Sequence, residues 1–279
     1  MVEAPTPAVW EARLRCDFEY DSNRTVLARR QHCGPLLVQR PFYPEGPRTC
    51  HLYLVHPPGG IASGDHLHFA AHLHPQSHAL ITTPAATKLY RSAGGIARSE
   101  SHLDVQAGGC LEWLPQETIV FSGARAKLRT RVELASDASF MGWEILCLGR
   151  AARGEVFADG LMSQSFEIYR DRQPLFIERA RCQGADAALR EPWGLHGNSV
   201  FGTLVCITSN AQQLVQRLRE NLLCDAPGRF CVTALSATLV CRYIGPWAEA
   251  ARAYFSAAWH LLRPWLFDKP AAAPRIWAT

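Results

Sequence analysis

The sequence predicts a mainly β protein, either a sandwich or a stacked, coiling arrangement of sheets, with two α-helices in its C-terminal half. Three observations carry that expectation. From Leu14 to about Val205, short runs that alternate apolar with polar residues, or are rich in β-branched and aromatic residues, recur. The turn-forming clusters PPGG, SAGG, QAGG, SDAS and ARGE separate them. No long helical period appears before Asn210.

Taken in order, the clearest strands are CHLYLVH (50–56), HALITT (78–83), CLEWL (110–114) and TIVFSG (118–123). LRTRVEL (128–134), FMGWEILCLG (140–149) and SQSFEIYR (163–170) follow. A first helix is expected from near Ser209, with Gln212 completing a capping box and Leu214, Leu218 and Leu222 forming its apolar stripe. Residues Phe230 to Tyr243 alternate like one more strand. A second helix has Pro246 in its first turn and a stripe of Ala250, Tyr254, Ala258 and Leu261. The tail KPAAAPRIWAT is broken by proline and ends in an aromatic, which suggests docking on a partner or on its own domain. With no internal repeat and no long linker, residues 1–279 read as one domain, with 1–13 and 268–279 as extended tails.

Composition narrows the function classes. Apolar residues make up 48% and charged residues 19%, enough for a packed core. The net charge of +4 is dispersed along the chain, whereas nucleic-acid binding needs a clustered basic face. Lysine is scarce (Lys88, Lys127 and Lys269), which draws attention to Lys88. The start MVEAPTPAVWEARLRC carries acids and prolines where a signal peptide has basic and then apolar regions. No run of about 18 apolar residues occurs. The ten cysteines form no CxxC pair, so they read as buried reduced thiols, and a cytoplasmic location is expected.

Two groups of residues invite a metal-handling reading. His66, His68, His72 and His74 share one face of a strand in DHLHFAAHLHP, as a nickel- or zinc-binding comb would. A solvated strand face opposite a buried one gives the same alternation, and metal sites usually converge from several elements. Neither HxHxDH nor HExxH is present, no phosphate loop or GxGxxG exists, and no GxSxG elbow surrounds Ser63. No enzymatic chemistry therefore has a motif behind it. The second group is acidic. Asp65 ends the glycine-rich loop HPPGGIASGD, in which Gly59, Gly60 and Gly64 permit positive φ and close approach. Glu144 in GWEIL and Glu178 in PLFIER interrupt apolar runs, where acids need an ion partner, a cation or solvent. Lys88 and Arg91 in TKLYR could supply the partners.

The blocks RPFYPEG, HLYLVHPPGGIASGD, HALITTPAATKLYRS, LEWLPQETIVFSGA, GWEILCLGRAARGE, RDRQPLFIER and PRIWAT, in this order, resemble the urease accessory protein UreD family, also called UreH. The resemblance runs from Leu14 to the C-terminus. It implies an irregular, β-helix-like layered β protein with two helices and no catalytic activity. It also implies a helical partner, UreF, which recruits the GTPase UreG, and docking of that assembly on the urease apoprotein. Nickel would arrive from the metallochaperone UreE, and Ni²⁺ would be held only transiently. The family's C-terminal contact with UreF would give Arg275, Ile276 and Trp277 a partner-binding role. A family nickel channel, matched motif by motif, falls on Asp65, Thr87, Glu144 and Glu178. This sequence departs at Ser63, where the family commonly has glycine; with Gly59, Gly60 and Gly64 retained, the turn is expected to survive. Carboxylate oxygens hold Ni²⁺ more loosely than imidazole or thiolate does, as a conduit requires. Two other readings are a structural adaptor that conducts no metal, and a metal-dependent hydrolase built on the His66–His74 cluster.

Overall fold

The computed structural model describes residues 10–222 and 226–278. Most of the expected N-terminal tail, Cys224 and the last residue lie outside them. The chain shuttles between two facing sheets. The first holds β1 (Glu11–Asp21), β2 (Arg24–Cys33), β5 (His66–Leu73), β8 (Ala97–Val105), β11 (Arg125–Leu134), β14 (Leu161–Arg170) and β15 (Gln173–Gln183). Its order is β15-β14-β11-β8-β5-β1-β2, parallel from β14 to β1 and closed by an antiparallel strand at each edge.

The second sheet takes the strands that alternate with these: β3 (Leu37–Val38), β4 (Thr49–Val55), β6 (His78–Thr82), β9 (Cys110–Trp113) and β12 (Ser139–Arg150). Antiparallel β16 (Val200–Ile207), β18 (Thr238–Gly245) and β17 (Arg229–Leu235) extend it beyond β12. Short β7 (Thr87–Leu89) and β10 (Thr118–Val120) run alongside β12, and β13 (Glu155–Val156) pairs with its end. The parallel strands on successive coils are the layered, solenoid-like architecture expected.

Burial explains the strand patterns. On β5 the histidines are half-buried while Leu67, Phe69, Ala71 and Leu73 point inward. β12 is apolar on both faces because it is covered on both. Phe140, Leu146 and Leu148 join the core between the sheets; Met141, Trp143, Ile145 and Cys147 join a second core under the helices. Glu144 shares the parity of Phe140 and Leu146, so it faces the other sheet.

Three helices occur among the described residues: α1 (Ala187–Arg190), α2 (Ala211–Asn221) and α3 (Ala248–Phe267). The short α1 was not legible in the sequence. The expected capping box is absent: Asn210 caps α2 without a side-chain bond, and the Thr208 hydroxyl takes the Asn210 N–H instead. Leu214 and Leu218 are buried as expected. On α3 the buried stripe continues through Leu262 at 1% exposure, and Leu261 faces out at 37%. A spacing of four residues from Ala258 holds the stripe on the face toward the sheet; a spacing of three leaves it.

Regular elements lie at the described ends of the chain. β1 already begins at Glu11, within the 1–13 segment, and Arg275–Ala278 form a 3-10 turn that packs back on the domain. The Trp277 ring lies 5.7 Å from both Trp143 and Trp259, and its indole N–H donates to the Thr82 hydroxyl at 2.9 Å. Apolar contact plus one satisfied indole N–H offsets the entropy of ordering this segment.

Candidate functional site

The HPPGG loop begins the site. Gly59 and Gly64 adopt φ of +75° and +85°, which side chains disfavour. Gly60 is required for space: a Cβ there would sit 2.3 Å from the Tyr90 ring and 2.9 Å from the Lys88 carbonyl. Ser63 keeps the turn rather than disturbing it, since its oxygen accepts the N–H of Ala93 at 3.0 Å and of Gly95 at 2.9 Å. Asp65 is buried, and its two oxygens accept the backbone N–H of Trp10 at 3.0 Å and of Ala62 at 2.9 Å. Its carboxylate therefore braces the loop against β1.

The loop walls a cavity of about 170 Å³, lined also by His56, Thr83, Thr87 and Lys88. A second cavity of about 100 Å³ lies beyond it and is lined by Gln116, Thr118, Thr130 and Glu144. Leu54, Thr83, Thr87, Ser99 and Ser101 line both, so Thr87 stands at the boundary. His56 is held below the ordinary imidazole pKa by burial, against the opposing pull of Asp65, so the ring facing the first cavity is neutral.

Glu144 reaches into the second cavity. Burial between the sheets pushes its carboxyl up to about 7; hydrogen bonds from Thr130 and Gln164 oppose that rise, and the charge on Glu178 adds to it. Gln164 Nε2 donates to Glu144 Oε2. Glu178 approaches the same seam from β15. Its Oε1 accepts the Thr203 hydroxyl at 2.7 Å, and its Oε2 accepts Arg242 Nε at 3.1 Å and Nη2 at 2.8 Å. Glu144, Thr203 and Arg242 are successive partners in register across β12, β16 and β18. Beyond the seam, Glu178, Thr203 and Arg242 line an open groove of about 320 Å³.

Thr87, Glu144 and Glu178 thus lie along one inter-sheet line, while Asp65 lies behind the wall of the first cavity. The ion partner anticipated from Lys88 or Arg91 is Arg242 instead. Lys88 lines the first cavity, and Arg91 packs against Gly123 within the field of Glu155. The histidine comb lies on the outer face of the first sheet. His72 Nδ1 is 2.8 Å from Asp104, His66 is 3.7 Å from Glu100, and the His72 and His74 rings stack edge-on. Among the described residues no three His, Cys, Asp or Glu side chains converge into a metal-ligand set.

Sequence reasoning missed a buried ionic network behind α3. Glu112, wholly buried, accepts Arg263 Nε at 2.9 Å and Trp259 Nε1 at 2.6 Å, and lies 2.8 Å from His78 Nε2. Burial alone would raise this carboxyl; His78 and Arg263 overcome it and hold the pKa at about 2. Arg263 also donates to Glu45 at 2.7 Å, and Glu45 is 2.6 Å from His51. Glu112 interrupts CLEWL as Glu144 interrupts GWEIL, so the same signal was present in the sequence. Among the described cysteines, Cys16, Cys50, Cys147, Cys182, Cys206 and Cys241 are buried as expected, whereas Cys110 is half-buried and Cys33 and Cys231 are exposed; burial pushes the six buried thiols up, so they stay protonated.

The family model of the UreD urease accessory protein matches residues 11–278. The chain belongs to the UreD family. It is 44% identical over 274 residues to the urease accessory protein UreD of Dechloromonas aromatica, covering 97% of this chain and 95% of the relative. It is 43% identical over 270 residues to urease accessory protein UreD 2 of Brucella anthropi, covering 97% of this chain and 98% of the relative. The UreD of Alcanivorax borkumensis is 44% identical over 275 residues, covering 97% and 92%. The UreD match includes the loop, both cavities and the seam. Among the described residues no helix is long and apolar enough to cross a membrane.

Proposed function

We propose that this chain is a non-catalytic scaffold in urease maturation, which docks on apo-urease with UreF and the GTPase UreG and passes Ni²⁺ between its two sheets. The observation that carries this reading is the inter-sheet line itself. Two cavities share Thr87, and the second ends at Glu144, beyond which Thr203 and Glu178 reach an open groove. Spaced oxygen ligands attract a divalent ion and release it, whereas a cage of imidazoles or thiolates would retain it. Glu144, near neutrality when empty, exchanges its proton for a cation at little cost. Asp65 acts here by shaping the entrance loop. Nickel is the cargo, arriving by way of UreE, and no resident cofactor is needed.

The test is co-expression with UreF, UreG and apo-urease, measuring complex assembly and urease nickel content for Glu144→Gln and Glu178→Gln. The scaffold reading expects assembly without nickel. A purely structural adaptor expects both to remain.

A further inference from the structure

We propose that Arg242 is the gate of this passage, closing it in the free chain by occupying the carboxylate that a cation would need. The inference rests on the conduit reading above and assigns its control to one residue. Three observations support it. Arg242 makes two bonds to Glu178 Oε2, at 3.1 Å from Nε and 2.8 Å from Nη2, while Thr203 holds Oε1 at 2.7 Å. Both oxygens of Glu178 are thus engaged, and a guanidinium stands where a divalent ion would bind. Second, the seam is where the open space is interrupted. The cavity holding Glu144 and the groove holding Glu178 have no lining residue in common, and the Glu144–Thr203–Arg242 row lies between them. Third, the pair is asymmetric in exposure. The Arg242 side chain is 43% exposed and Glu178 only 20%, so the cation can leave for the groove while the carboxylate stays.

A positive charge fixed on Glu178 repels Ni²⁺ as well as masking its ligand, so removing it acts twice. Once the guanidinium turns into the groove, Glu178 and Glu144 become two oxygen ligands flanking Thr203, and the line is continuous. A static ion pair would do none of this: it would contribute modest stability and leave nickel binding unchanged.

The experiment titrates the purified full-length chain with NiCl₂ by calorimetry, comparing wild type, Arg242→Gln, Glu178→Gln and the double variant. Urease nickel loading in co-expressing cells is measured alongside. The gate expects Arg242→Gln to bind Ni²⁺ about tenfold more tightly, with the gain lost in the double variant. Wild-type affinity in Arg242→Gln, together with failed loading in Glu178→Gln, overturns the gate and leaves the conduit standing. Normal loading in Glu178→Gln overturns the conduit itself. If Arg242→Gln does not fold, Arg242→Lys replaces it. The lysine cannot make the two-pronged contact, so a smaller gain in affinity is expected, and no gain overturns the proposal.

Discussion

Glu144 and Thr203 face each other in the β12–β16 ladder, and the Thr203 hydroxyl crosses to the other sheet to donate to Glu178 at 2.7 Å. One threonine therefore separates two carboxylates of different character. Glu178 is paired with a guanidinium, whereas Glu144 takes hydrogen bonds from the neutral Gln164 and Thr130 and feels the charge of Glu178. A protein that merely needed a stable core would have little reason to put two acids there, since each removes apolar contact and requires compensation.

The first prediction follows from Glu144. Its folded pKa of about 7 lies above the ordinary 4.5, so folding favours the protonated form. The stability this contributes is fully present below about pH 4.5 and is lost as pH rises through about 7. Glu144→Gln, which mimics the protonated carboxyl, should therefore gain on wild type by at most about 3 kcal/mol between pH 4.5 and pH 8. Urea unfolding at the two pH values measures it; a pH-independent difference contradicts the assignment.

The entrance loop gives a second. Gly60→Ala places a methyl against the Tyr90 ring and the Lys88 carbonyl, and should cost about 1–3 kcal/mol while displacing the strand that carries Thr87. Gly59→Ala meets open space and suffers only its φ of +75°, a cost of about 1 kcal/mol. Thermal unfolding should rank Gly60→Ala below Gly59→Ala, and nickel loading should fall in the former.

Behind α3, Arg263→Met leaves Glu112 buried beside His78 without its guanidinium. The expected loss is about 3–5 kcal/mol, partly recovered by adding Glu112→Gln. Chemical denaturation of the two variants checks this, and equal loss in both would show that the charge imbalance is not the cause.

The C-terminal turn separates a self-contact from a partner contact. Trp277 is half-buried against Trp143 and Trp259, whereas Arg275 is exposed. Trp277→Ala should lower the melting temperature by a few degrees, from a loss of about 1–2 kcal/mol. Arg275→Ala should leave it unchanged and weaken capture of UreF. Unchanged melting of Trp277→Ala would mean that the indole serves the partner alone.

Much of the fold was legible because its strands obey simple rules. The clean alternation of DHLHFAAHL gave a one-faced strand, and the apolar run of FMGWEILCLG, interrupted by Glu144, gave a strand that the structure shows covered on both sides. The histidine comb lay on the outer face for the same reason. The pairing of Glu178 was not legible, because Arg242 is 64 residues distant and reaches it only through the register of three strands. Arg263 was hidden by chemistry that local pattern cannot reveal, since a buried arginine on an apolar helix face makes sense only once Glu112 and Glu45 are in place. Asp65 was legible as a placed carboxylate, but its bracing of the loop was not, because a carboxylate that accepts backbone N–H groups looks the same in sequence as one that awaits a cation.

The most direct measurement is the nickel content of urease purified from cells that express this chain with UreF, UreG and apo-urease, comparing Glu144→Gln and Glu178→Gln with wild type. Both variants should assemble to wild-type levels yet leave urease with less than about a tenth of its nickel, as loss of a transient charged ligand would. Fully loaded urease from both variants would contradict passage of the ion between the sheets.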